Sequence, residues 1–455
     1  MIEPVSESRL RRILIGLMLA LFLAALDQTI VAVVLPDMAR ELPLPDYLPW
    51  VVSAYLLAMT VATPIAGKLG DLFGRTRLLY VSILLFVLAS LLCGLARDTG
   101  ELVAARALQG IGAGAMMNCI QSLIGELIAP AERGRYQAWF SGMFAIASLA
   151  GPLLGSWIGQ WSWRGIFLVN LPLGLLALYL ARRGLVGMAN SKTASKVDYL
   201  GCVLLTMGLG SVMLLITRIG HGEPWQSSEH AGLALLGLGA LAAFIVWQRR
   251  AHDPLIPPAL LRIPTLRASL SLMLFSSFLS VGLGVLIPLQ ARGEAATALL
   301  IALAAGVPIG AYTGGRLSAR LKRYKPLILI GCSALPFTLA GIAWADSSRL
   351  PLLAFLLLTG IALGLQFPTV LVAVQNAAPR AQLGIATACC GLVRGLGGAL
   401  GAALLMSLFM ALGMRSPEQA FSHLMLLCAG LALMPLLIAW RMEDLRLAER
   451  VASVE

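Results

Sequence analysis

Charge is what this sequence has least of. Only 12% of its 455 residues are Asp, Glu, Lys or Arg, about half the ~25% of an ordinary soluble chain. Acids are scarcer still, 22 against 34 Lys and Arg, for a formal net charge of +12. With 59% hydrophobic residues and a mean hydropathy of +0.86, the chain would expose far too much apolar surface to stay in water, which excludes a soluble globular domain. The positive excess calls for no nucleic-acid partner, because a multi-pass membrane protein gathers Lys and Arg on its inner side. The four histidines (His221, His230, His252, His423) are scattered, and the seven cysteines lie in or beside apolar runs without paired spacing. That argues against a metal set and against a secreted disulfide framework. No phosphate loop and no nucleophile constellation occurs, so the chain carries no signature of an enzyme or an ATPase.

What is present is a long series of apolar runs. A helix rises 1.5 Å per residue, so about 20 residues cross the hydrocarbon. Runs of that size fall near 12–36, 48–67, 77–96, 102–128, 137–160, 165–182, 199–219, 231–248, 267–290, 297–317, 325–345, 351–373, 384–411 and 420–441. The first follows Arg9, Arg11 and Arg12 like a signal peptide, but it is too long and lacks a small-residue cleavage pattern, so it reads as a retained span. Fourteen spans put both termini on one side. Lys and Arg concentrate in the loops that this arrangement places inside, most densely at Arg316, Arg320, Lys322, Arg323 and Lys325, and the termini are therefore expected in the cytoplasm.

A faint repeat gives the organisation. GKLGDLFGR (67–75) follows the second span and GRLSARLKR (315–323) follows the tenth; Gly67, Leu69 and Arg75 align with Gly315, Leu317 and Arg323. Setting spans seven and eight aside leaves six plus six, and duplicated halves are common in transporters. The expected fold is an all-α polytopic membrane protein of two six-helix halves with two extra helices between them. The boundaries are 1–185 for the first half, 186–262 for a linker with the extra helices, 263–445 for the second half and 446–455 for a cytoplasmic tail.

Three segments stand out chemically. In the loop 67–79, Gly67, Gly70 and Gly74 allow close helix approach and a tight turn, and Asp71 and Arg75 can pair across a seam that opens and closes. The alternative is a solvated loop that only sets topology. In RALQGIGAGAMMN (106–118), Gly110 and Gly114 form a small-xxx-small face. Arg106 lies deep enough that it should face protein or a wet cavity, unless it snorkels outward. In AGPLLGSWIGQ (150–160), Gly151, Gly155 and Gly159 share one face and Pro152 removes a backbone donor, a pattern that suits a hinge or seal as well as ordinary helix packing.

Together these segments resemble the major facilitator superfamily: 67–79 its cytoplasmic loop motif, 106–114 its fourth-helix arginine motif, 151–156 the Gly-Pro motif of its antiporters. LDQTIVAVVLP (26–36), WVVSAYLLA (50–58) and WSWRGIFLVNLPLG (161–174) look like the fourteen-span drug/proton antiporters of the EmrB/QacA type. The likeness is dense over 26–174 and thinner beyond, chiefly LVRGLGGALGAAL (392–404). It departs at Ala32, where the first-helix motif usually has Asn, at Ser156, which replaces a Gly, and at Ala319 and Lys322, which stand where Asp71 and Gly74 stand in the first loop.

Asp27 is the one acid inside the first span, roughly 22 Å above Arg12. Burial of a lone carboxylate favours its protonated form, so a site whose surroundings change can load and release a proton. Arg106 lies within about 10 Å of the same level. Proton coupling is assigned to Asp27 and Arg106, and the resemblance matches its first-helix acid to Asp27; the alternative is an acid that only hydrogen-bonds a neighbouring helix. The cytoplasmic gate is assigned to Gly67, Asp71, Gly74, Arg75 and Glu126, and the antiporter motif to Gly151, Pro152 and Gly155. Trp50, Tyr55, Met59, Met116, Met117, Phe140, Phe144, Gln366 and Phe367 are candidates for a soft substrate cavity. The resemblance implies a proton-coupled exporter of amphipathic, cationic drugs across a bacterial inner membrane by alternating access. Its partners would be substrate, protons and the bilayer, its energy source the proton gradient with no cofactor or metal, and a periplasmic adaptor would complete any path across an envelope. Export of a metabolite or lipid, proton-coupled uptake, and a non-transporting sensor are the rival readings.

Overall fold

A computed structural model describes residues 7–43, 48–185, 196–220, 227–290, 294–345, 349–413 and 417–447. Parts of the expected linker and most of the expected tail lie outside these. Among the described residues the chain is helical without a strand, as hydrocarbon demands of a backbone that must satisfy its own hydrogen bonds. The helices are α1 (Glu7–Glu41), α2 (Pro49–Phe73), α3 (Arg75–Leu95), α4 (Thr99–Leu127), α5 (Pro130–Gly159), α6 (Gly165–Leu168), α7 (Asn170–Leu185), α8 (Tyr199–Gly220), α9 (Ser228–Arg250), α10 (Pro264–Gln290), α11 (Glu294–Leu321), α12 (Lys325–Trp344), α13 (Arg349–Ala377), α14 (Leu383–Gly413), α15 (Pro417–Leu431) and α16 (Leu433–Arg441). Thirteen segments among the described residues are long and apolar enough to cross a membrane; α6 with α7 makes one, and α15 with α16 makes another. The fourteenth expected span, α4, is 29 residues long but is not among the thirteen. It has the length and lacks the apolarity, because Arg106, Gln109, Asn118 and Gln121 lie along it.

The helices α1 to α5 and α7 share one hydrophobic core, in which Leu17, Tyr55, Phe86, Met116, Phe140 and Ala177 meet. A second set of cores joins α10 to α16. Small residues set the closest crossings. A Cβ added at Gly110 or Gly114 of α4 would strike the carbonyl oxygens of Tyr55 and Met59 on α2. The same device recurs between α11 and α13, where Gly306 and Gly310 meet the carbonyls of Leu357 and Ile361. The two loop copies also share a backbone feature. Gly74 has φ 95° and Lys322, its counterpart in the repeat, has φ 53°. The left-handed turn survives in the second copy on a residue with a side chain, at a cost of roughly 1–2 kcal/mol.

The pair α8 and α9 forms a hairpin against α2 and α14, with Leu205, Leu209 and Phe244 packed on Val61 and Leu392. Asp198 ties its base: it accepts from Gly201 N at 2.8 Å, Trp247 Nε1 at 2.8 Å, Gln248 Nε2 at 2.7 Å and Leu255 N at 3.1 Å. Burial pushes the Asp198 carboxyl up, but these four donors outweigh it and hold the group below the usual carboxylate range.

Candidate functional site

Asp27 lies in the middle of α1 with none of its surface exposed, and Arg106 of α4 is 1% exposed. They form an ion pair, Arg106 Nη1 to Asp27 Oδ2, at 2.5 Å. The other carboxylate oxygen accepts from Gln109 Nε2 at 2.9 Å and from Asn170 Nδ2 of α7 at 3.1 Å. Both amides also reach Ser90 Oγ of α3, at 2.7 and 3.3 Å. Arg106 is held in turn by Gln109 Oε1 at 2.6 Å and by the carbonyl of Val51 at 3.1 Å, with the Tyr55 ring 4.1 Å below its guanidinium. Three side chains donate to the carboxylate and Ser90 holds two of them, so α1, α3, α4 and α7 are joined around one charge. Removing one partner of such a buried pair typically costs 3–5 kcal/mol.

The two residues assigned to proton coupling are thus in contact. Gln109, Asn170 and Ser90 complete the site and were not among the sequence candidates. The available signals were slight: Gln109 sits inside RALQG and Asn170 inside WSWRGIFLVNLPLG.

A second polar cluster closes the end of the molecule that carries the 67–79 loop. Asp71 Oδ1 accepts from Arg75 Nη2 at 2.7 Å, while Arg75 Nη1 reaches Glu126 Oε2 at 2.9 Å. Asp71 also crosses between the halves, accepting from the backbone amides of Gly384 and Ile385 at the start of α14, each at 3.0 Å. A carboxylate at a helix N-terminus meets unpaired amides and a favourable dipole. Arg75 Nη2 adds a bond to the Arg380 carbonyl at 3.3 Å. Gly67 lies so close to α14 that an added Cβ would be 2.5 Å from that of Ala388, and Gly74 makes the turn into α3. The five residues assigned to the gate therefore gather at one seam. The second seam, between α5 and α11, was not foreseen. There Gly134 packs against Gly315 and Ser318, and Arg133 donates to the Gln375 carbonyl of α13 at 3.0 Å.

Gly151 and Gly155 lie against Thr29 and Ile30 of α1, one turn beyond Asp27, and Pro152 of the same motif points away, exposed. The cavity candidates are scattered. Tyr55, Met116 and Phe140 are fully packed in the first core, and they line no open space in this conformation. Tyr55 is filled on one side by Arg106, and Met116 and Phe140 face helix neighbours. Trp50, Met59, Met117 and Phe144 are half-buried. Gln366 is buried, accepting from Ser276 Oγ at 2.6 Å, and Phe367 beside it is half-buried. A hollow of about 500 Å³ lies elsewhere, beside the second seam, among Glu132, Arg135, Arg316, Arg320 and Lys322.

A helical bundle long enough to cross a membrane more than a dozen times, with a charge pair at its centre and two packed sets of helices meeting at one end, is the build of a multi-pass membrane transporter rather than an enzyme. The chain belongs to the Major Facilitator Superfamily, whose model matches residues 17–402. It is 32% identical over 413 residues to the multidrug transporter protein MdtP of Bacillus subtilis, covering 88% of this chain and 75% of that one. It is also 32% identical over 414 residues to an uncharacterized MFS-type transporter of Mycobacterium tuberculosis, covering 89% of this chain and 60% of the relative. Among solved structures, the proton:xylose symporter XylE superposes with a TM-score of 0.67 at 16% identity, covering 96% of each chain, a likeness of fold alone.

Proposed function

We propose that this chain is a proton-coupled antiporter that exports amphipathic small molecules across a bacterial inner membrane by alternating access. The observation that carries the reading is the Asp27–Arg106 pair, a titratable group sealed at the centre of the bundle and satisfied only while four helices keep their present places. The name of the Bacillus subtilis relative supports export of drugs. In this reading α4 is the fourteenth span, made less apolar by the site it carries, and both termini lie in the cytoplasm with the 67–79 loop. The seams at the loop end then close the cytoplasmic side.

The cycle follows from what each side chain holds. A proton arriving from outside neutralises Asp27 and weakens its bond to Arg106. Gln109 and Asn170 lose an anionic acceptor, and α1 and α4 no longer need to meet at this point. That relaxation reaches α5 through Gly151 and Gly155, and reaches the loop-end seams by moving the helices that bear them. With the cytoplasmic side open, Asp27 gives up its proton, Arg106 recaptures it and substrate enters. Protons supply the energy and no cofactor is used.

The reading is tested by loading cells expressing the chain with a fluorescent amphiphile and following efflux with and without a protonophore. Efflux above the background of cells lacking the chain, and abolished by the protonophore, is the expected result. Efflux that continues unchanged after the gradient collapses contradicts proton coupling.

A further inference from the structure

The proton site is closed, so something else must meet the substrate's charge. Arg394 stands in mid-α14, eleven residues from the helix start. On a helix of 100° per residue it lies about 200° from both Leu392 and Leu396, and those two belong to the contact with the outer hairpin. Arg394 therefore points the other way, toward the centre of the molecule. Its side chain remains exposed although its neighbours are Phe367 of α13 and, one residue on, Thr60 of α2, which is how a group lines an internal space rather than fills a core. Its guanidinium lies 4.8 Å from the ring centre of Phe367 on α13. The next residue, Gly395, faces Thr60 of α2 across the seam between the halves.

Among the described residues Arg394 has no ion-pair partner. Acids cannot supply one from nearby in sequence: between Asp253 and the C-terminus they occur only at Glu294, Asp346, Glu418, Glu443, Asp444, Glu449 and Glu455, all outside the apolar runs of the sequence. The one acid at comparable depth, Asp27, is buried and already accepts from three side chains. The charge available at the centre of this conformation is therefore positive. A bare cation inside a membrane protein is costly and marks a functional site, and a guanidinium presents a planar fork that fits an oxyanion.

We propose that Arg394 is the charge-reading group of the substrate site, taking the carboxylate or similar oxyanion of an amphipathic organic anion whose apolar body lies against Phe367. This rests on the export reading above and names its substrate as an anion, where the sequence led to the expectation of a cation. In this conformation the Arg106, Gln109 and Asn170 contacts leave Asp27 no face to offer a cationic substrate.

Two fluorescent probes with the same apolar body and opposite charge, pyrenebutyrate and pyrenemethylamine, test it by equilibrium binding to the purified full chain in detergent. Wild type should bind the carboxylate at least tenfold more tightly than the amine. Arg394→Gln should lose that preference, and Arg394→Lys should keep most of it. Size exclusion reports whether each variant is folded, and Arg394→Lys carries the charge test if Arg394→Gln is not: retention of the preference in the lysine variant supports the proposal. A wild type that prefers the amine or shows no preference overturns it. So does an Arg394→Gln variant that retains the preference, or one that weakens both probes equally, as a purely structural role would. Binding needs no proton gradient, so failure here leaves proton coupling standing, and failure of the protonophore test leaves this assignment standing.

Discussion

Asp27 and Arg106 each carry a charge that the bilayer would reject without the other. Arg106→Leu leaves a buried carboxylate with only amide donors, and folded protein in detergent should lose ~3–5 kcal/mol of stability, read as a clear fall in melting temperature. A melting temperature equal to wild type would show that the pair holds nothing together. These two residues were legible in the sequence because a charge in an apolar run is rare and depth can be counted from the nearest loop. Gln109, Asn170 and Ser90 were not. Neutral polar residues in membrane helices are common, and the contacts that matter here join positions 82 and 143 residues apart. The aromatic and Met candidates are ambiguous in sequence for the opposite reason. Tyr55, Met116 and Phe140 look like a soft binding surface in sequence, but the same softness packs a core.

At the scale of helices, approach distance is set by glycine. Gly114 of α4 rests on the backbone of α2 at Met59, whereas Gly142 of α5 has open space where a Cβ would go. Gly114→Leu should push α2 and α4 apart, lower the melting temperature and cut the yield of monodisperse protein, by ~1–3 kcal/mol or more as overpacking typically costs. Gly142→Leu should leave both near wild type. Equal behaviour of the two variants would contradict the packing described. The small-xxx-small face at 110–114 was readable from spacing alone. Its partner was not, since nothing in a glycine says which helix will lie on it. The repeat was faint in sequence because Ala319 and Lys322 break it. The structure keeps the left-handed turn at Lys322, so backbone shape outlasted the residue that usually makes it. The α4 helix shows the converse: the side chains that build the site also remove the apolarity by which a span is recognised.

For the whole molecule, the question is whether the seam between the halves parts midway along α2 and α14 during transport. A Cβ on Gly395 would lie 3.4 Å from that of Thr60, near the ~3.5–4.5 Å spacing of a disulfide. With the native cysteines replaced, Thr60→Cys combined with Gly395→Cys should cross-link on oxidation and stop efflux, and a reductant should restore it. Full efflux in the cross-linked form would mean that the halves need not separate there. Sequence could not show which end is closed, because both conformations use the same residues and differ only in which of them touch. The claim that joins all three scales is that proton movement on Asp27 drives that change. Its most direct test is proton flux in liposomes containing only this protein, measured with an internal pH indicator when substrate is added, for wild type and for Asp27→Asn. Wild type should move protons on substrate addition and Asp27→Asn should not, while still binding substrate. Substrate-driven proton flux in Asp27→Asn at the wild-type rate would place the coupling group elsewhere and contradict the account.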